Sequence, residues 1–174
     1  MLPKMATDLA QLRKEGIGAK KIKTMVATLQ IFPTPFKGTY YVPTDGERGG
    51  WLIDKPILAL SQAIALYLGT GDFYYSCITA EEFHGISWHR SGEVHVVNTV
   101  RSGRIDLVAR VEHNERKKTW RARQVARILS MYGRKIIFHK TPSISGAKVK
   151  RTIYGDYALA SQIKKDRKRF REKE

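Results

Sequence analysis

Apolar residues recur every three or four positions in segments 7–15 and 19–30 of the chain, which is the spacing of an amphipathic helix. A Gly-Ile-Gly sequence at positions 16–18 interrupts this pattern, because closely spaced glycines favour a turn. The chain is therefore predicted to begin with two short helices around a turn, a helix-turn-helix pattern. The polar side of the second helix carries three lysines, Lys20, Lys21 and Lys23.

A stretch of β-forming residues follows this helix pair. Segment 36–42 is rich in aromatic and β-branched side chains, and it ends at a Pro-Thr-Asp-Gly turn sequence at positions 43–46. We expect a β segment directly after a helix-turn-helix pair to form the wing of a winged helix, with Lys37 within it.

Helical and extended patterns alternate over the rest of the chain, which predicts an α+β fold. Helices are expected over four segments, 56–68, 79–84, 120–131 and 156–170. The second of these begins with capping-box spacing at positions 79–82. Strands are expected around 94–96, 105–111 and 135–138.

The composition adds an excess of positive charge, which indicates a polyanionic partner. The chain of 174 residues is 42% hydrophobic, enough for a core, yet it carries 32 Lys and Arg against 16 Asp and Glu, a net charge of +16. Residues 76–174 hold +13 of this total and residues 1–75 hold +3. Because so large a charge repels itself in a folded chain, it is usually kept for a polyanion such as nucleic acid. The alternative is a solvated, salt-tolerant surface.

Two basic clusters in the second half of the chain are candidates for phosphate contacts, which give affinity without sequence preference. The C-terminal cluster consists of Lys164, Lys165, Arg167, Lys168, Arg169 and Arg171. The central cluster consists of Arg116, Lys117, Lys118, Arg121 and Arg123 around Trp120. That indole is able to stack on an unpaired base, although a tryptophan at a helix start more often anchors a core. The alternative for the C-terminal cluster is a solvated helix end.

The sequence offers little for catalysis, and we expect no enzyme and no cofactor. The five histidines form no His-Glu-x-x-His pair, and no metal site is predicted. His84 is interpreted as a residue that closes a short helix before Gly85. A metal-dependent nuclease remains an alternative, because it needs clustered carboxylates; its candidates are Glu93, Asp106 and Glu112. No Walker loop and no serine-hydrolase elbow sequence occurs.

The single cysteine, Cys77, excludes a disulfide framework within the chain and is interpreted as a small buried hydrophobe. It also argues against a cysteine-based zinc site and suits a reducing, cytoplasmic compartment. The N-terminal residues lack the apolar stretch of a signal peptide. The longest apolar stretch, 56–68, is too short to span a bilayer, so no membrane association is expected.

Several of these segments, taken in order, resemble the AbiEi family of antitoxins and related transcriptional regulators. Segment 9–17 is similar to that family's helix and turn, and segment 36–42 to the wing sequence that follows. Segment 76–86 resembles the family's "Ser-Ala-x-x-x-His-Gly-Leu" sequence, which is the most specific match. Segments 93–97 and 134–138 are similar to two of its strands, so that the resemblance covers roughly residues 9 to 140.

The resemblance implies a winged-helix unit on duplex DNA, an α/β domain behind it, autoregulation of an operon and a nucleotidyltransferase-like toxin as protein partner. Residues 1–6 are too short for the helix that ordinarily comes first, so the unit is expected to be reduced. The predicted organisation is a winged-helix-like unit over 1–50, a mixed α/β domain over 51–155 and a basic tail over 156–174. The rival hypothesis is an RNA-binding or ribonucleoprotein component that uses the basic second half.

Overall fold

The computed structural model describes residues 5–171 of the chain. Nine strands and eight helices occur within these residues. In chain order they are β1 (Ala6–Asp8), α1 (Leu9–Lys14), α2 (Ala19–Ala27), β2 (Phe32–Pro33), β3 (Thr39–Tyr41), α3 (Asp45–Gly50), α4 (Pro56–Leu68), β4 (Phe73–Tyr75), α5 (Cys77–Phe83), β5 (Glu93–Asn98), β6 (Gly103–Asp106), α6 (Leu107–Arg116), α7 (Trp120–Ser130), β7 (Lys135–Lys140), β8 (Val149–Thr152), β9 (Gly155–Ala158) and α8 (Ala160–Arg171). The fold class is therefore α+β, as the sequence predicts.

The chain divides into two compact units, each built from two stretches of sequence. The first unit comprises 1–69 and 107–132, and the second comprises 70–106 and 133–174. This division does not follow the three consecutive ranges expected from the sequence, because α6 and α7 belong with the N-terminal elements. It also redistributes the charge: the first unit has 16 Lys and Arg against seven Asp and Glu, or +9, and the second has 16 against nine, or +7.

The first unit contains a three-stranded antiparallel sheet with the order β1-β3-β2. Helices α1 and α2 connect β1 to β2. Asp8 ends the first strand and begins α1, because its side chain accepts a hydrogen bond from the Gln11 amide at 2.8 Å, as an N-cap does. The buried side chains Leu12, Ile22 and Ile31 form a small core under the two helices.

Helices α3, α4, α6 and α7 complete the first unit. Pro56 begins α4 and Gly69 ends it in the left-handed conformation, so the sequence prediction for 56–68 is confirmed. Thr44 and Glu47 form a capping box at α3, in a segment expected to be a turn. Glu47 also accepts a buried hydrogen bond from the Tyr41 hydroxyl at 2.5 Å, which ties α3 to the sheet.

The second unit contains a six-stranded mixed sheet with the order β6-β7-β5-β4-β9-β8. Strands β5 and β7 are parallel, as are β4 and β9, whereas the other neighbours are antiparallel. Val96, Val97 and Ile136 of the central strands are fully buried. Helix α5 packs against β5 and α8, so one face of the central strands lies under helices.

Three local expectations were wrong. The strand expected over 105–111 ends at Asp106, and Leu107 begins α6, because Leu107 is buried by helix packing that alternation alone does not reveal. The start of the helix expected over 156–170 is instead strand β9, and the helix begins at Ala160. Thr79 forms no capping box, because it lies inside α5 and its hydroxyl bonds to strand β5.

Over residues 5–171, none of the helices has both the length and the apolar composition needed to cross a membrane.

Candidate nucleic-acid interface and a histidine-cysteine cluster

Helix α2 presents a basic, solvent-exposed surface. Of its nine residues only Ile22 is buried, while Lys20, Lys21 and Lys23 are exposed. Among the described residues no carboxylate lies within ion-pair distance of these three lysines. Met25 and Val26 are partly buried against the same small core, so the opposite side of the helix, which carries the lysines, is the side available to a partner.

The hairpin loop between β2 and β3 holds Lys37 at an exposed position. The loop itself is rigidly built. The Thr34 hydroxyl bonds to the Thr39 carbonyl at 2.9 Å, and the Phe36 ring stacks on Tyr67 with centroids 4.5 Å apart. Gly38 takes a positive φ of 79°, which turns the chain back into β3. Lys37 is thus an exposed cation on a buried, hydrogen-bonded loop.

Arg121 connects the central basic cluster to α2. Its guanidinium donates to the Val26 carbonyl in the last turn of α2 at 3.2 Å, and it lines a cavity of about 350 Å³ together with Arg13 and Lys23. The structure therefore brings Arg121 together with the helix of the lysine set, which the sequence did not predict. The remaining central residues, Arg116, Lys117, Lys118 and Arg123, are exposed in or beside α6 and α7.

Trp120 serves in part as an anchor. Its ring meets Trp51 edge to face, with centroids 4.9 Å apart, and Trp51 packs in turn near Phe32. Even so, 53% of Trp120 remains exposed. Trp120 thus packs against another aromatic side chain and also presents an exposed aromatic surface.

Helix α8 combines an exposed basic side with a buried polar side. The predicted residues Lys164, Lys165, Lys168, Arg169 and Arg171 are exposed. Arg167 differs, because its guanidinium pairs with the Glu81 carboxylate of α5 at 2.6 Å. That arginine is committed to a contact within the second unit, so charge count alone overstates the cations available there.

Asp166 lies fully buried on the inner side of α8, at the centre of a hydrogen-bond network. It accepts from the Ser76 hydroxyl at 2.7 Å, the Tyr74 hydroxyl at 3.1 Å and the Gln162 amide at 2.9 Å. Burial and the adjacent Asp166 charge raise the pKa of Tyr74. A buried carboxylate is costly unless several donors satisfy it, as these three do. No pattern in the sequence predicts this network, since a single Asp in a run of Lys and Arg carries no periodic signal.

A cluster of metal-ligating side chains forms in the second unit from three separate elements. One coordinating atom each from Cys77, His95 and His139 lies within 4.8 Å of the other two. The Nδ1 atom of His95 is 2.9 Å from the Nε2 atom of His139. Burial, followed by the nearby Asp166 charge, raises the pKa of the Cys77 thiol to about 11, which counts against an activated nucleophile.

The carboxylates of the nuclease hypothesis are not brought together. Glu93 of β5 and Asp106 of β6 each pair with Lys135 in the sheet register. Strand β7 therefore lies between them, and their Cα atoms are about 10 Å apart. Glu93 lies 3.4 Å from His95, and Glu112 pairs with Arg116 at 3.5 Å in the other unit. His84 ends α5, and its Nε2 bonds to the Ala158 carbonyl at 3.0 Å, a structural contact of the kind expected.

Comparisons with known proteins assign no family to the chain. No family model matches it, and neither does any curated protein sequence or solved structure.

Proposed function

We propose that the chain is a DNA-binding transcriptional regulator of the antitoxin type, and that its first unit holds duplex DNA. The observation that carries this proposal is helix α2, whose three lysines are exposed while Ile22, Met25 and Val26 pack its other side against a small core. An α-helix with side chains is about 10–12 Å across, which matches the major groove of B-DNA at about 12 Å.

The connectivity around α2 supports this proposal. A strand, two helices and a hairpin, with the sheet order β1-β3-β2, form the arrangement expected of a winged helix that lacks its first helix. In that arrangement α2 is the recognition helix and the hairpin loop with Lys37 is the wing. The loop's hydrogen bonds and the Arg121 contact to α2 hold both in fixed positions.

The electrostatic argument divides the predicted residues into two roles. Lys20, Lys21, Lys23 and Lys37 contact the duplex from helix and wing. The exposed cations of the central and C-terminal clusters, including Arg123 and Lys168, hold phosphates wherever the duplex passes them. Each neutralised phosphate makes the slope of log K against log salt more negative by about 0.9. Both sets of cations therefore make binding sensitive to salt, but only the helix and wing set is expected to distinguish one DNA sequence from another.

The antitoxin part of the proposal is supported by the resemblance of segments 76–86 and 93–97. It implies a nucleotidyltransferase-like toxin as protein partner. Co-expression with the product of the adjacent gene, followed by co-purification, tests this part separately from DNA binding.

Binding to labelled duplex DNA from the region upstream of the gene tests the central proposal, with random duplex and single-stranded RNA as competitors across a salt series. The expected result is tight binding to the upstream duplex that survives salt better than binding to random duplex. Equal and steeply salt-dependent binding to all three would mean that charge alone drives binding. Preference for the RNA would select the ribonucleoprotein hypothesis, and Mg²⁺-dependent cleavage abolished by Asp106→Ala would select a nuclease.

A further inference from the structure

The second unit places two imidazoles and a thiol around one point, although the three residues are far apart in sequence. His95 pairs with Ile137 in the register of β5 and β7, and His139 pairs with Val97. The two histidines are therefore diagonal neighbours on parallel strands, and the period of two places both side chains on the same face of the sheet. Cys77 begins α5, the helix that packs against β5.

Each of these three residues has a defined position in the fold. Cys77 has a positive φ of 52°, uncommon for a residue with a side chain, at the junction between β4 and α5. The backbone amide of His95 donates to the Thr79 hydroxyl at 2.7 Å. The His139 ring stacks on Phe170, with centroids 4.0 Å apart and planes 13° from parallel.

We propose that Cys77, His95 and His139 bind a zinc ion. Cys77 would lose its thiol proton to solvent when the metal binds, as coordinating cysteines do. The resulting thiolate with two imidazoles is a borderline-soft ligand set, which favours zinc, cobalt or copper over Mg²⁺ or Ca²⁺. Ligand atoms in a tetrahedral zinc site lie about 3.3–3.6 Å apart. The two histidine nitrogens, 2.9 Å apart, would therefore separate slightly on metal binding. The other distances between ligand atoms are at most 4.8 Å and would shorten by at most about 1 Å.

Glu93 provides the outer contact that metal-binding histidines ordinarily have. Its Oε2 lies 3.4 Å from Nε2 of His95, while Nδ1 of the same ring faces His139. A carboxylate on the far nitrogen fixes the tautomer and leaves the near nitrogen able to coordinate. Glu93 is thus a positioning residue in this site.

Three protein ligands leave one position of a tetrahedral zinc ion for water or a small exogenous ligand. A cavity of about 660 Å³ adjoins the site at His139, which lies in its wall with Phe170, Lys140 and Thr141. A metal ion or a fourth ligand would approach the site from this cavity, on the side of His139. The proposed site lies in the second unit and is independent of the lysines of α2.

The test uses the full chain without an affinity tag, stripped with a chelator and dialysed against Zn²⁺ or Co²⁺. We expect one zinc ion per chain and, with cobalt, visible absorption of a tetrahedral ion together with a thiolate-to-cobalt charge-transfer band. Cys77→Ser should abolish that band, and both Cys77→Ser and His139→Gln should weaken zinc affinity by about 100-fold or more.

Two further variants separate the proposed roles. Glu93→Gln should weaken zinc affinity by about 10- to 100-fold while the charge-transfer band persists. His89→Gln changes an exposed histidine of the same unit and should leave affinity unchanged. Zinc binding that is absent in the wild type, or that is equal in the wild type and the Cys77 and His139 variants, would overturn the proposal. If Cys77→Ser does not fold, absence of the band in the cobalt-loaded wild type would overturn it.

Discussion

Helices α2 and α8 carry similar basic runs, one in each unit, but they differ in how the rest of each helix is used. Helix α2 buries Ile22 alone, and its lysines have no acidic partner among the described residues. Helix α8 buries Gln162, Ile163, Asp166 and Phe170, and its Arg167 is paired with Glu81. The first is a surface attached to a small core, whereas the second is a structural element with a charged outer side.

This difference shows why net charge is a poor guide to binding residues. The two units hold almost the same positive charge, +9 and +7. In the second unit Arg167 is paired with the half-buried Glu81 carboxylate. Lysines without such partners are the ones whose charge is available to a polyanion.

The largest effect is expected at the buried network of the second unit. Asp166→Ala removes the acceptor for the Ser76, Tyr74 and Gln162 donors. Buried donors without an acceptor cost about 1–3 kcal/mol each, so the free energy of unfolding should fall by about 3 kcal/mol or more. Urea denaturation measures this loss. Asp166→Asn, which keeps the shape and one acceptor, should lose less, and a stability within about 0.5 kcal/mol of wild type for Asp166→Ala would refute the structural role of α8.

Glu47 in the first unit should show the next largest effect and a dependence on pH. Burial alone would raise its pKa, but hydrogen bonds from Tyr41 and from the Asp54 and Thr44 amides lower it overall. Glu47→Gln replaces one acceptor oxygen by an amide NH₂ group that would face the Tyr41 hydroxyl and the backbone amides. This change should lower the free energy of unfolding by about 2 kcal/mol at neutral pH. The pKa of Glu47 is lower in the folded state than in the unfolded state. The extra stability of the wild type over the variant is therefore fully present above the unfolded-state pKa of about 4.3 and is lost as pH falls through the folded-state pKa.

Urea midpoints of the wild type and Glu47→Gln between pH 7 and pH 3 check this. The difference in the free energy of unfolding should narrow as the solution becomes acidic. A difference that stays constant over that range would contradict the assigned role of the carboxylate.

A smaller pair of effects should separate structural from binding cations within α8. Arg167→Gln breaks the pair with Glu81 and should cost about 0.5 kcal/mol, since the arginine side chain is 40% exposed, with DNA affinity unchanged. Lys168→Gln should leave stability unchanged and weaken binding to every duplex by about three- to fivefold at 0.15 M salt. Urea denaturation measures the stability of both variants, and titration with duplex DNA across a salt series measures their affinity. A loss of affinity confined to Arg167→Gln, or a loss of stability confined to Lys168→Gln, would contradict these roles.

Much of the fold follows from local sequence signals. Pro56 and Gly69 mark both ends of α4, and apolar spacing identifies α1, α2 and α7. Other elements depend on long-range packing and left no such signal. Strand β6 stops where the buried Leu107 begins α6, and β9 pairs on one side with β4, a strand from a distant segment of the chain.

The candidate sites divide in the same way. Exposed lysines on α2 were predictable because Ile22 and Val26 define the opposite face of the helix. The Asp166 network and the Cys77, His95 and His139 cluster were not, because the sheet register brings together residues from distant segments.

The central claim is that α2 reads the duplex whereas α8 only holds it. The most direct test compares two triple variants with the same change in charge, Lys20→Gln, Lys21→Gln and Lys23→Gln in α2 against Lys164→Gln, Lys165→Gln and Lys168→Gln in α8. Each is titrated with upstream and random duplex DNA at fixed salt. The account predicts that the α2 variant loses the preference for the upstream duplex, with affinity for it falling on the order of 100-fold, while the α8 variant weakens both duplexes by one factor. Equal losses on both duplexes from both variants would contradict it.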